Sequence, residues 1–198
     1  MKLEIKYNKT VLREFQNRLK MRVKALPTLK NKEAALRALV FDARRKTDEA
    51  AAVMRDVLQR IESWQGLWNE YDFSLLKIKD IQIKYEKIAG IAVPNFIGIA
   101  TDAPELPLTL PDWFHDGLAA QEEFLTAMAA HRTMHERLAL LEQARKKATQ
   151  KVNLYEKVQI PALEDGIRQI KRYLEDEDNL SKAGQKLLKT KLNKEVAS

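Results

Sequence analysis

From Leu12 onward, apolar residues recur at alternating steps of three and four, through Leu12, Phe15, Leu19, Arg22, Leu26, Leu29, Glu33, Leu36, Val40, Ala43, Thr47, Ala50, Met54, Val57, Ile61, Trp64 and Trp68. Fourteen of the seventeen are apolar, the exceptions being Arg22, Glu33 and Thr47. An alternation kept over eight heptads predicts a coiled-coil seam on one long helix, with Asn8 and Thr10 as candidate N-caps. At 1.5 Å per residue such a helix would be about 85 Å long, too long to stand alone in water. Its partner lies further along the chain. After the helix-entry signal Leu110-Pro111-Asp112, a second seam runs through Met134, Leu138, Leu141, Ala148, Val152 and Tyr155, interrupted at Arg145. A third run, Ile160, Leu163, Ile167, Ile170 and Leu174, follows one residue out of phase with the second. The slip falls beside Pro161, where a missing N–H and a ring clash predict a bend or local unwinding. Leu187 and Leu188 continue a weaker helix into a basic tail.

The connection between the seams has a different period. Ile78, Ile81 and Ile83 stand among polar neighbours up to Lys87, Gly90 offers a turn, and Ile91 to Pro94 and Phe96 to Ile99 form a second apolar stretch. This predicts a β-hairpin with Pro94 on an edge, followed by a proline-rich loop from Thr101 to Pro111. The expected fold is therefore mainly α: a long antiparallel two-helix coiled coil with a small central β-hairpin. Residues 8–68 form the first helix, 69–111 the central segment, and 112–192 the second helix and tail. Folded back on itself, such a chain pairs positions whose numbers total about 185–190 if both helices rise equally. Pro27 then faces Pro161, so both helices should be disturbed at one level. Glu33 falls near Lys151 and Lys157, and Lys9 and Arg13 fall near the acidic run Glu175 to Asp178. Trp64, Trp68 and Trp113 gather at the joined end as an apolar plug.

Composition narrows the chemistry. The chain has 198 residues, no cysteine, 32% charged and 7% aromatic residues, and a net charge of +7. Disulfides, thiolate metal sites and cysteine nucleophiles are excluded. No apolar run is long enough to span a bilayer and no signal-peptide core follows Met1, so a soluble cytoplasmic protein is expected. Residues 1–30 and 180–198 hold fourteen Lys/Arg against three Asp/Glu, which leaves the middle of the chain net acidic. Phosphate-binding glycine loops and the nucleophile elbow are missing. His131 and His135 have the i, i+4 spacing of paired metal ligands, but a further ligand is missing and position 139 is Ala139, so they are expected to be surface or seam side chains. Catalytic, metal and cofactor-binding residues are each expected to be none.

Three blocks resemble a known family. Lys151-Val152-Asn153, Glu156, Ile160-Pro161, Leu163, Ile167, Ile170 and Leu174-Glu175 are similar to the C-terminal signature of the D subunit of V/A-type rotary ATPases. Leu29-Lys30, Lys32 and Leu36 resemble its N-terminal motif, and Ile88 to Ile91 with Pro94 resembles its central hairpin turn. The chain departs from that pattern at Glu33, where the family has a base, and at Ala183, where it has a phenylalanine. The resemblance implies a non-catalytic rotor shaft that couples ATP hydrolysis or synthesis to proton or sodium translocation. It implies contacts with the catalytic and nucleotide-binding subunits of a hexamer, with the small F subunit of the rotor, and with a socket subunit above a membrane ring. Neither nucleic-acid binding nor membrane insertion is implied, and the location is cytoplasmic and peripheral to the membrane. Arg13, Arg18, Lys20, Lys30, Lys32, Lys151, Asn153, Glu156, Lys186 and Lys189 are the candidate partner contacts. Pro27, Pro161, Trp64, Trp68 and Trp113 are the structural candidates. A basic helical hairpin that binds nucleic acid, or a structural tether, is the alternative that charge and heptads alone leave open.

Overall fold

A computed structural model describes residues 6–102 and 110–195. In chain order its elements are helix α1 (Lys9–Glu62), a 3-10 turn (Phe73–Leu75), strands β1 (Lys77–Ile88) and β2 (Ile91–Asp102), helix α2 (Trp113–Asn153), a π-helical turn (Leu154–Gln159) and helix α3 (Ile160–Glu195). The fold is mainly α with one antiparallel hairpin, as the seam and the central period imply. Most of the Thr101–Pro111 loop lies outside the described residues. The chain divides into two compact units, Lys32–Ala148 and the described part of Met1–Asn31 with Thr149–Ser198.

In the unit that holds the chain ends, α1 and α3 pair antiparallel. Tyr7 meets Tyr173 with ring centroids 4.8 Å apart, Arg22 meets Gln159, and Lys30 meets Glu156. The core here is a narrow seam of Phe15, Leu163 and Ile170, flanked by Val11, Leu12, Leu19, Ile167 and Leu174. Asn8 caps α1, its Oδ1 accepting from the N–H of Val11 at 2.7 Å.

In Lys32–Ala148, α1 and α2 also pair antiparallel, with Arg44 on Glu142 and Arg60 on Glu123. The core of Val40, Ala43 and Leu141 takes a fourth member, Val93, from the hairpin, and Ile88 and Ile91 pack against the same cluster. The hairpin closes through Ala89 and Gly90, whose φ of 52° and 84° give the left-handed two-residue turn that matches strand twist. Pro94 stands in β2 opposite Tyr85 and is fully buried. In a two-stranded sheet each strand is an edge, so its missing N–H costs no ladder bond that a third strand would need. Ile78, Ile81 and Ile83 are exposed instead. The hairpin's apolar contacts to the helices come from β2, through Ile91 and Val93, and from Ile88 at the very end of β1.

Every one of the seventeen seam positions from Leu12 to Trp68 is buried or half-buried. The polar exceptions are paired. Thr47 Oγ1 donates to the carbonyls of Ala43 and Met134 at 2.8 and 3.3 Å, Glu33 accepts from Arg37 at 3.0 Å, and Arg22 bonds to Gln159. Two expectations need correction. First, α-helical bonding stops at Glu62, and the following residues form successive i→i+3 turns from Trp64 to Tyr71. The two helices therefore do not rise equally into the joined end: Lys30–Glu156 and Arg44–Glu142 keep the expected register, while the other observed pairs total 180–183, up to about one helical turn below it. Second, α1 runs through Pro27 without a break. Pro27 is exposed, and so is Val23, whose carbonyl loses the donor that Pro27 cannot supply. Local unwinding occurs only on the Pro161 side, where the π turn precedes the proline.

Candidate functional site

The long polar bonds of the terminal unit gather where α1 faces the π turn. The Arg22 Nε donates to Gln159 Oε1 at 2.6 Å, and its guanidinium carbon lies 5.8 Å from the centroid of the Tyr155 ring. Two turns on, Lys30 Nζ donates to Glu156 Oε1 at 2.6 Å. A charged donor half-buried against an aromatic face keeps its planar geometry and loses little solvation, which suits Arg better than Lys. Lys30 and Glu156 come from two different family-like blocks, and they are the only candidate contacts that the described structure brings into direct bonding with each other. Lys32 Nζ lies over the hairpin turn, 3.9 Å from where a Cβ on Gly90 would stand. Lys151 and Asn153 face solvent at the end of α2.

The remaining candidates are solvent-facing. Arg13, Lys20, Lys186 and Lys189 are exposed, and Arg18 is exposed while bonding to Glu14 on its own helix. Beyond Asp178, α3 carries exposed Leu180, Leu187 and Leu188 beside exposed Lys182, Lys186 and Lys189. This end of α3 is a basic helix whose apolar stripe is open to solvent.

The other cluster is aromatic. Trp64 and Trp68 stack 6.1 Å apart, and Trp68 meets Trp113 edge-on at 6.2 Å. The plug is larger than the three tryptophans, because Tyr71, Phe73 and Phe114 fill it. Trp68 Nε1 donates to the carbonyl of Ile61 at 2.8 Å, beyond the last α turn. Tyr71 is buried, its hydroxyl donates to Gln121 Oε1 at 2.8 Å, and burial, with a smaller contribution from Asp72, pushes its pKa up. Leu58, Ile61, Trp68, Phe73, Phe124 and Leu125 line an open apolar groove beside it. Asp72 caps the 3-10 turn by accepting from Ser74, which lowers its pKa.

His131 and His135 stand 6.4 Å apart, and among the described residues no group of three or more His, Cys, Asp or Glu is placed to hold a metal ion. No described helix is long and apolar enough to cross a membrane. The Arg22–Tyr155–Gln159 cluster is not visible in the heptad pattern, although a lone base in an apolar seam marks one side of it. Tyr71, Phe73 and Phe114 are signalled only by their nearness in sequence to the tryptophans.

Comparison with known proteins decides the family. The family model described as the D subunit of ATP synthase matches residues 11–190. The chain belongs to that family. A V-type ATP synthase D subunit from Chlamydia trachomatis serovar L2 is 30% identical over 202 residues, covering 97% of this chain and 98% of the relative. The V-type ATP synthase D subunit of Borreliella burgdorferi is 27% identical, with 96% of each covered. As a D subunit, the chain works beside the other subunits of a V-type ATP synthase. The match spans the π turn, the hairpin and part of each basic end.

Proposed function

We propose that this chain is the central rotor shaft of a V-type ATP synthase, coupling ATP hydrolysis or synthesis to proton or sodium movement through a membrane ring. Its end built from α1 and α3 is held among the catalytic and nucleotide-binding subunits of the hexamer. The rest carries the small F subunit of the rotor and seats on the socket subunit, on the cytoplasmic side of the membrane. The observation that carries this reading is the inequality of the two helices. Along the terminal unit α1 presents Arg13, Arg18 and Lys20, while α3 presents Glu175 to Asp178 and then the lysine-flanked leucines. A two-stranded shaft of unlike strands has no threefold symmetry, so three catalytic interfaces around it meet three different surfaces. Only contacts that differ between states can shift an equilibrium, and unlike contacts are what such a shaft supplies.

The exposed stripe of Leu180, Leu187 and Leu188 supports the placement, because a basic amphipathic helix fits an apolar sleeve with acidic walls. Nucleic acid is disfavoured by the acidic residues interleaved with the basic ones and by the lack of an aromatic–basic stacking platform. The test is charge reversal at Arg13, Arg18, Lys20, Lys186 and Lys189 together, in the assembled complex. Binding to the hexamer should weaken by about tenfold or more, with loss of ATP-driven rotation. Unchanged assembly and rotation would refute the placement.

A further inference from the structure

The second and third seams disagree by one residue, and the structure shows where that residue went. Steps of four and three carry the inward side from Ala148 to Val152 and Tyr155, and the next step would fall on Gln159. The third seam begins instead at Ile160. The π turn Leu154–Gln159 takes up the surplus: the N–H of Ile160 donates to the carbonyl of Tyr155, five residues back. Val152, Tyr155, Gln159 and Ile160 all remain half-buried, while Leu154, Lys157 and Val158 are pushed outward.

Neither packing nor the proline demands this turn. With one residue removed between Tyr155 and Ile160, steps of four, three, four, three and four would lead from Tyr155 to Ile160, Leu163, Ile167, Ile170 and Leu174, a regular α-helical seam. A proline alone does not force the wider form, since α1 carries Pro27 in unbroken α-helix. The turn is also latched from the facing helix, by Arg22 to Tyr155 and Gln159 and by Lys30 to Glu156. Single π turns inside α-helices are frequent at functional positions, and here the surplus residue, which regular packing could omit, is held by two cationic side chains.

We propose that the π turn is a yielding joint: its surplus residue, latched to α1 by Arg22 and Lys30, passes between neighbouring turns and relaxes twist in this helix pair without unpacking the seam on either side. A shift of the wide turn by one residue exchanges an i→i+5 bond for an i→i+4 bond and re-aims only the side chain it passes, by about 100°. The seams beyond it keep their partners. The proposal concerns the chain itself and does not rest on the rotor reading.

Hydrogen exchange on the full chain tests it. The amides of residues 154–160 should exchange faster than those of the flanking turns. Arg22→Ala should speed them by about tenfold or more, the worth of a hydrogen bond to a charged group, with flanking exchange unchanged. Pro161→Ala alone keeps the surplus residue and should leave the turn fast. Deletion of Val158 in the Pro161→Ala background should slow the turn to the flanking rate, with Tm equal to or above that of Pro161→Ala. Any one of four results would overturn the joint: wild-type exchange at the flanking rate, no local response to Arg22→Ala, a turn slowed by Pro161→Ala alone, or a deletion variant that unfolds or loses more than about 3 °C in Tm.

Discussion

The helix pair of Lys32–Ala148 and the helix pair of the terminal unit are built from the same heptad steps, yet they are stabilised differently. In the first, the hairpin lays Val93 onto Val40, Ala43 and Leu141, so the core has walls from three directions. The aromatic cluster of Trp64, Trp68, Tyr71, Phe73, Trp113 and Phe114 belongs to the same unit. In the terminal unit the core is Phe15, Leu163 and Ile170 with a single row of flanking side chains. The only π turn among the described residues, and the Arg22 cluster that holds it, are in this thinner unit. A third layer makes a coiled-coil seam rigid. Two layers leave room for irregular backbone and for surfaces that face partners.

The largest expected effect measures that difference directly. Leu141 is 1% exposed and Ile170 is 0% exposed, so each loses a similar volume on replacement by alanine. Large-to-small core changes of this kind cost about 2–5 kcal/mol, and the spread reflects how far the surroundings can collapse into the cavity. Around Leu141 the hairpin blocks collapse, so Leu141→Ala should cost near the top of that range. Around Ile170 two helices can close in, so Ile170→Ala should fall near the bottom. Denaturant unfolding of both variants decides it, and equal or reversed losses would show that the third layer adds no rigidity.

A smaller effect tests the aromatic cluster. Alanine for glycine inside a helix ordinarily gains up to about 1 kcal/mol. At Gly117 the added Cβ would stand 2.9 Å from Cε2 and 3.1 Å from Cδ2 of Tyr71, with Trp113 at 3.4 Å behind it. Tyr71 is packed on several sides by other rings and cannot swing away. Gly117→Ala should therefore destabilise by about 1–3 kcal/mol, as overpacked cores do. A Tm at or above that of the wild type would mean that the cluster is soft.

How much of this is legible in the sequence depends on what kind of signal each feature leaves. The seam can be read at every position because burial along a helix follows period, and a slip of one residue beside Pro161 announces the π turn. The end of α1 cannot be placed by period, because Trp64 and Trp68 still face inward on i→i+3 turns, which mimic another heptad. The difference in register follows from that mimicry. The hairpin's alternating isoleucines resemble a core face, but a two-stranded sheet packs one face only, and β2 with Val93 and Pro94 wins the helices. Arg145 stands out as an interruption of the second seam, while its cost does not: among the described residues its Nε is buried without a hydrogen-bond partner. Lys30 and Glu156 each stand out within a family-like block, and their numbers total 186, inside the register expected from spacing, so this pair is legible in the sequence. Arg22 and Gln159 meet because the π turn keeps a polar residue inward, which no heptad count shows.

The smallest effect separates the units by pH. Burial raises the Tyr71 pKa above its ordinary value of 10.0. A group whose folded pKa is raised binds its proton more tightly in the native state, so its contribution is complete below the unfolded value and is lost as pH rises through the folded one. Stability of the wild-type chain should therefore fall as pH climbs beyond about 10. Tyr71→Phe removes the titrating hydroxyl together with its bond to Gln121, at a cost of about 1 kcal/mol in neutral solution. The variant starts lower but is spared the alkaline loss at this site, and the other tyrosines are common to both chains. The two stability curves should thus converge as pH rises. Curves that stay parallel through that range would show that the Tyr71 phenol meets water, and that the aromatic cluster does not seal its unit as the packing of Gly117, Trp113 and Phe114 requires.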